Sequence, residues 1–266
     1  MAYKWRILLQ PYHVTISLLQ ATRLYFVSNF LATFSPGGLG GDAYRVIALS
    51  GLNKSKIITY TVIIERFIGL VVLGTFALIT LPFSISYFNI SYRSIIWLII
   101  LILFLLVLFI LFIIFPKYAG GSGEKLRLVY GNNFILKIRS YFESIVINKN
   151  HYKTISLFTL LCSMEVGLLI FMNYLAAISI GVYIKLGYFF CTLPVLYLLI
   201  RLPITVQGIG IQEGLWAYIF SLAGYSASDG LAMSFLLRIS EIIAIFIPAG
   251  IFFLTGSIRI PKSKNI

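Results

Sequence analysis

The stretch Ser35-Pro36-Gly37-Gly38-Leu39-Gly40-Gly41-Asp42-Ala43-Tyr44-Arg45 decides the architecture because of what stands on either side of it. The runs 13–34 before it and 55–82 after it are apolar and long enough to enter a bilayer. Between them four Gly and one Pro fall within the seven residues 35–41, a composition that abolishes helix propensity. Unwound backbone at membrane depth is tolerated only where it is buried in protein or faces water. The stretch therefore predicts a broken, re-entrant helix hairpin and not a plain span.

The rest of the chain supports a membrane setting. Of its 266 residues, 60% are hydrophobic and 11% charged, against about 45–50% and about 25% in soluble domains. With a mean hydropathy of +0.98, this excludes a soluble globular enzyme. Four runs, 55–82, 91–115, 151–180 and 228–256, reach the roughly 20 residues that a crossing needs. Two more, 13–34 and 187–203, lead into Gly-rich stretches and read as broken helices. The fold class expected is an all-α polytopic integral membrane protein, one membrane domain over residues 1–266. Within it, Ile135, Ile138, Phe142, Ile145 and Val146 recur at helical spacing opposite Lys137, Arg139 and Glu143, so the segment 116–150 reads as interfacial.

The net charge of +13 would suit nucleic acid if it were clustered on a polar fold. Here the cations flank apolar runs, so no nucleic-acid partner is expected and the charge reads as orientation. Fourteen flanking cations, from Lys4, Arg6, Lys54 and Lys56 through the 117–153 group to Arg259, Lys262 and Lys264, fall on one side, with Arg93 and Lys185 on the other. That bias predicts a multi-pass cell-membrane protein with both termini cytoplasmic. Cys162 and Cys191 stand inside apolar runs and read as core packing. No disulfide, metal site or cofactor is expected.

Five cations and five carboxylates remain within or beside apolar segments: Arg23, Arg45, Arg66, Arg201 and Arg238, and Asp42, Glu65, Glu165, Glu213 and Glu241. A charge at the bilayer centre costs at least about 2.5–3.5 kcal/mol on insertion scales, so these residues should pair or line a wet cavity. Arg238 and Glu241, at i,i+3, can share one helix face. Glu65 and Arg66 are adjacent, point about 100° apart, and should reach other helices. Glu165 needs a basic partner from elsewhere, or it is protonated. Ion pairs of this kind either serve a ligand or only pin the bundle.

The Gly-rich stretch has a second copy, Gln207-Gly208-Ile209-Gly210-Ile211-Gln212-Glu213-Gly214. Gly38-Leu39-Gly40 matches Gly208-Ile209-Gly210, an acid follows each, and Arg66 shifted by 172 is Arg238. This predicts an inverted repeat, about 13–82 and about 187–256, with two broken hairpins and a substrate site at the midplane. Accessible N–H groups of Gly38, Gly40, Gly41, Gly208 and Gly210, together with Arg45, Arg66 and Arg238, would bind an anionic lipid headgroup. Asp42 and Glu213 would orient the arginines or meet an aminoacyl or sugar amine, and Glu65 and Glu241 complete the lipid-binding set as partners in interhelical ion pairs.

At these residues the sequence resembles the lysylphosphatidylglycerol synthase transmembrane-region family, also called flippase-like or UPF0104 proteins. The resemblance is carried by Pro36-Gly37-Gly38-Leu39-Gly40-Gly41-Asp42 with Arg45, by Glu65-Arg66 with Gly69, and by the second Gly-rich stretch. It implies a membrane lipid translocase for an anionic phospholipid or isoprenoid-phosphate lipid. The alternative it implies is a non-transporting subunit that presents lipid to a separate lipid-modifying enzyme or glycosyltransferase. The soluble aminoacyl-transferase domain of multidomain relatives is not in this sequence, so no catalytic residues are assigned and lipid synthesis by the chain is not expected.

Overall fold

The computed structural model describes residues 1–49, 55–87, 149–201 and 205–254. The expected span 91–115 and all but the last two residues of the interfacial segment 116–150 lie outside these. The described residues are helical throughout, apart from turns and one isolated bridge between Pro36 and Val206.

Three helices carry the long apolar runs: α4 (Ser55–Tyr87), α5 (Lys149–Ser179) and α8 (Ala227–Leu254). Their apolar segments Ile57–Thr80, Lys153–Ser179 and Ala227–Phe252 have 24, 27 and 26 residues. At about 1.5 Å per residue each exceeds the roughly 30 Å of a bilayer core. The outer face of α8 presents Ile239, Ile243, Ile247 and Ile251, each more than half exposed and one turn apart. Such a stripe has no place in water and suits contact with lipid.

The remaining helices are too short to cross. α1 (Ala2–Leu9) buries Trp5 and Leu9 completely. α2 (Leu18–Thr33) starts at a capping box, in which Ser17 Oγ accepts from the Gln20 amide at 3.2 Å and Gln20 Oε1 from the Ser17 amide at 3.0 Å. It stops just short of Pro36, and α3 (Leu39–Ala48) begins after Gly37 and Gly38, whose φ angles of +58° and +71° belong to the left-handed region. α6 (Leu186–Ile200) and α7 (Ile211–Leu222) flank the second Gly-rich stretch. At 16, 10, 15 and 12 residues, α2, α3, α6 and α7 reach roughly 15–24 Å, so each goes only part of the way across.

Both pairs fold back as hairpins. Ser28 Oγ donates to the Gly41 carbonyl at 2.8 Å, and Ser35 Oγ accepts from the Gly40 amide at 2.8 Å, which sets α3 antiparallel against α2. Across α6 and α7, the Tyr188 hydroxyl donates to the Ile219 carbonyl and Phe189 packs on Trp216 with ring centroids 5.9 Å apart. Phe158, Phe189, Trp216 and Phe220, all fully buried, form the centre of the main core between α4, α5, α6 and α7. Cys162 and Cys191 are buried in that same core.

Candidate functional site

The first cluster of charges forms where α1, α3, α4 and α5 converge. Arg45 on α3 is 6% exposed and donates to Asp42 Oδ1 at 2.6 Å and to Glu65 Oε2 at 2.5 Å, while its plane faces the Trp5 ring at 5.1 Å. Arg66 Nε donates to the other oxygen of Asp42, and Arg66 Nη1 to the Gly37 carbonyl at 2.8 Å. Glu65 and Arg66 thus reach a different helix, as their 100° separation predicts. Asp42 sits in the first turn of α3 and bridges both arginines.

Glu165 finds its basic partner in Lys4, with Nζ to Oε2 at 2.6 Å. This corrects the sequence expectation for Lys4, which groups it with the flanking cations. α1 instead turns it inward, where its side chain is 9% exposed and lies 5.1 Å from the Phe158 ring centroid. Burial pulls the Lys4 pKa down, but the Glu165 carboxylate outweighs it and holds the ammonium above its ordinary value. With Lys4 added, the interior cations number six against five carboxylates, a surplus of one.

A cavity of about 310 Å³ opens over this cluster. Its charged side chains are Lys4, Arg45, Arg66 and Arg201 against Asp42, Glu65 and Glu165, four minus three, with Met1, Tyr25, Ser28, Asn29 and Gly38 among the other walls. Along their helices, Arg66 and Glu165 stand about 4 Å and about 2 Å from the midpoints of the apolar segments of α4 and α5. Such a volume is at the lower end of ligand sites. It fits a headgroup and leaves acyl chains outside.

Arg201, at the C-terminal end of α6, is with Glu165 one of the charged lining residues that a place within an apolar run points to but that motif reading does not select. Its guanidinium lies on α4 directly over Gly69, where an added Cβ would stand 2.7 Å from Nη1. Gly69 follows Glu65 by four residues and Arg66 by three, on the same helix face, and that spacing is the signal that could have found the contact.

The second cluster is separate. Arg238 Nε donates to Glu213 Oε1 at 2.7 Å, Nη1 to the Gln207 carbonyl at 3.4 Å and Nη2 to Gln212 Oε1 at 3.3 Å. Glu241 accepts from Gln207 Nε2 at 3.2 Å. The expected i,i+3 pairing of Arg238 with Glu241 is therefore replaced. The less exposed acid on α7 lies where each of the three nitrogens of the Arg238 guanidinium finds an acceptor, while Glu241 has only an exposed amide partner. The cavity lining includes none of Gly208, Gly210, Glu213, Arg238 or Glu241.

The expected cradle of free N–H groups is corrected at four of its five glycines. The Gly38, Gly40 and Gly41 amides donate to Ser35 O, Ser35 Oγ and Gly38 O, and the Gly210 amide donates to Glu213 Oε2 at 2.6 Å. The hairpins close their own helix starts. Gly40 and Gly41 serve close approach instead: a Cβ on Gly41 would lie 2.9 Å from Ser28 Oγ and 3.0 Å from the Ala32 Cβ.

The two clusters nevertheless share one local plan. Arg66 and Arg238 each bind the acid in the first turn of the short helix before them and the carbonyl of the residue preceding the Gly-x-Gly, Gly37 or Gln207. Those two residues have φ of +58° and +50°, and Gly38 and Gly208 both have +71°. Pro36 and Val206, the matching residues one step earlier, form the antiparallel bridge that joins the two loops.

Residues 1–249 match the family model described as the lysylphosphatidylglycerol synthase TM region. No curated protein matches the chain. No solved structure matches it either. Matched over almost its whole length, with the Gly-Gly-Asp-x-x-Arg and Glu-Arg residues meeting in one cluster, the chain belongs to the lysylphosphatidylglycerol synthase transmembrane-region family, a family of membrane domains.

Proposed function

We propose that this chain is a flippase-like translocase that takes the anionic headgroup of a phospholipid or isoprenoid-phosphate lipid into the cavity over Arg45, Arg66 and Arg201. The observation that carries this reading is a headgroup-sized cavity at mid-span depth whose charged walls have one cation in excess. An anion compensates that excess, and an unpaired charge at mid-membrane depth is costly. The repeated arginine arrangement supports movement. An antiparallel bridge between matching residues is what a local two-fold axis in the membrane plane produces, and inverted repeats rock about such axes. On this reading the repeats run about 13–82 and about 187–256, and the protein is multi-pass in the cell membrane with cytoplasmic termini.

The test is leaflet sidedness in proteoliposomes. Purified protein with nitrobenzoxadiazole-labelled phosphatidylglycerol should speed exchange between leaflets, read as the fraction quenched by external dithionite. An unchanged rate with lipid still bound would assign the chain to the presenting role. Orientation is tested separately. A single Cys at Asn89 should react with an impermeant thiol reagent in intact cells and one at Asn150 should not.

A further inference from the structure

We propose that Glu241 is a proton-binding site at mid-membrane depth and that the proton it takes up loosens the tip of the second hairpin from α8. Neither the site nor its test depends on the cavity over Arg45 holding a lipid.

Glu241 stands about 2 Å along α8 from the midpoint of its apolar segment. It is exposed, as is every residue from 239 to 244, and its neighbours one turn away, Leu237, Ala244 and Ile245, are apolar. A carboxylate in that setting calls for a cation, and among the described residues none faces it. On its own helix, Arg238 has its three nitrogens bonded to Glu213, Gln212 and the Gln207 carbonyl, and Asp229 accepts from the Ser226 amide at the helix start. From α7 comes only Glu213, an acid already held by Arg238. On α2, Arg23 faces Phe252, three turns further along α8, and Tyr25 lines the cavity. On α5, Glu165 is bonded to Lys4. Tyr197 on α6 is near enough to feel the Glu241 charge but carries none to offset it. The one hydrogen bond that Glu241 accepts comes from a neutral amide, Gln207 Nε2 at 3.2 Å. A charge so placed is costly, and a bound proton removes it.

The bond to Gln207 is no part of the plan that the two hairpins share. The shift of 172 that carries Arg66 to Arg238 carries Gly69 to Glu241, and the residue matching Gln207 is Gly37. The first hairpin thus makes the same turn, with its arginine on the same carbonyl, and has a side chain at neither position. Gln207 has a φ of +50°, a region that a residue other than Gly occupies only when its surroundings hold it there. Two residues of α8 hold it: Arg238 on its carbonyl at 3.4 Å, a long contact, and Glu241 on its side-chain amide.

Protonation acts on the second of these. The ionised carboxylate accepts a charge-assisted hydrogen bond, roughly twice as strong as a neutral one. Protonated Glu241 accepts only a neutral bond, and the strained tip loses much of its hold. Proton binding and release of the tip are therefore linked, each favouring the other. Raising the pH ionises Glu241 and fixes the tip; lowering it neutralises the acid and frees the tip.

The experiment uses the full-length protein in lipid nanodiscs between pH 5 and pH 9. Infrared difference spectroscopy should show a protonated-carboxyl band that shifts in heavy water, fades as the pH rises and is absent from Glu241→Gln. A spin label on Ile209→Cys reads the tip, since Ile209 is 57% exposed and the two native cysteines are buried. Its mobile fraction should rise about fivefold from pH 9 to pH 5, the factor by which the charged bond outweighs the neutral one. Glu241→Gln should be mobile at every pH, and Glu241→Asp should keep a pH response. Gln207→Gly gives the tip the residue of the first hairpin. It should keep the infrared band and lose the pH response, so it decides the matter if Glu241→Gln fails to fold.

Identical infrared spectra of wild type and Glu241→Gln at every pH overturn the proton site. A Glu241 band that titrates while the Ile209 label stays unchanged overturns the link to the tip. A pH response of the label that survives in Glu241→Gln or Gln207→Gly assigns it to another group and overturns the link as well.

Discussion

Replacing Arg238 with Gln should loosen α7 from α8, and its partners set the size of the effect. Arg238 Nε and Glu213 Oε1 are 2.7 Å apart and both side chains are only 13% exposed, so water compensates either charge only in part. A hydrogen bond to a charged group contributes about 1.5–3 kcal/mol, and orphaning one member of a buried pair costs about 3–5 kcal/mol. Glu213 retains the Gly210 amide at 2.6 Å, which places the single loss at the lower end, about 3 kcal/mol. The double variant with Glu213→Gln should show about 2 kcal/mol of coupling, well above the roughly 0.6 kcal/mol average of interhelical hydrogen bonds in membranes. Arg238→Gln with Glu241→Gln should be additive within about 0.5 kcal/mol. Reversible unfolding of the three single variants, the two double variants and wild type in mixed micelles gives these values. Stronger coupling of Arg238 to Glu241 than to Glu213 would refute the assignment and restore the i,i+3 pair.

Other consequences follow from the same geometry. Gly41→Ala should destabilise by about 1–3 kcal/mol in the same assay, since the new Cβ runs into the Ser28 carbonyl and hydroxyl. Gly167→Ala, with nothing within 4 Å, should be neutral or stabilising by up to about 1 kcal/mol, and equal losses at both would remove the close-approach role of the first hairpin. Lys4→Gln leaves Glu165 without its cation and should cost about 3 kcal/mol, much of it recovered in the double variant with Glu165→Gln. A Lys4→Gln protein as stable as wild type would return Lys4 to the flanking cations. Cys162 and Cys191 are buried and should stay unlabelled by an aqueous maleimide until the protein is unfolded, and prompt labelling would contradict the core around Phe158.

The sequence by itself determined the membrane setting, the helical class and the two interruptions. These follow from local composition: apolar runs longer than the bilayer core, and Gly-Pro content that no regular helix tolerates. It also determined that the interior charges need partners, because the cost of a lone charge at that depth does not depend on which helix supplies the answer. Only the tertiary structure decided the partners. Lys4 and Glu165 are 161 residues apart, and nothing local ties them. Arg238 has an acid three residues away on its own helix, yet the packing of α7 offers a better-buried one. The same holds for Arg201: it gains its place from a missing Cβ at Gly69 on another helix, a contact fixed by how α4 and α6 pack. Periodicity along a chain fixes which residues share a face. Which faces meet depends on how the helices fill space together, and that placed the surplus cation in the cavity.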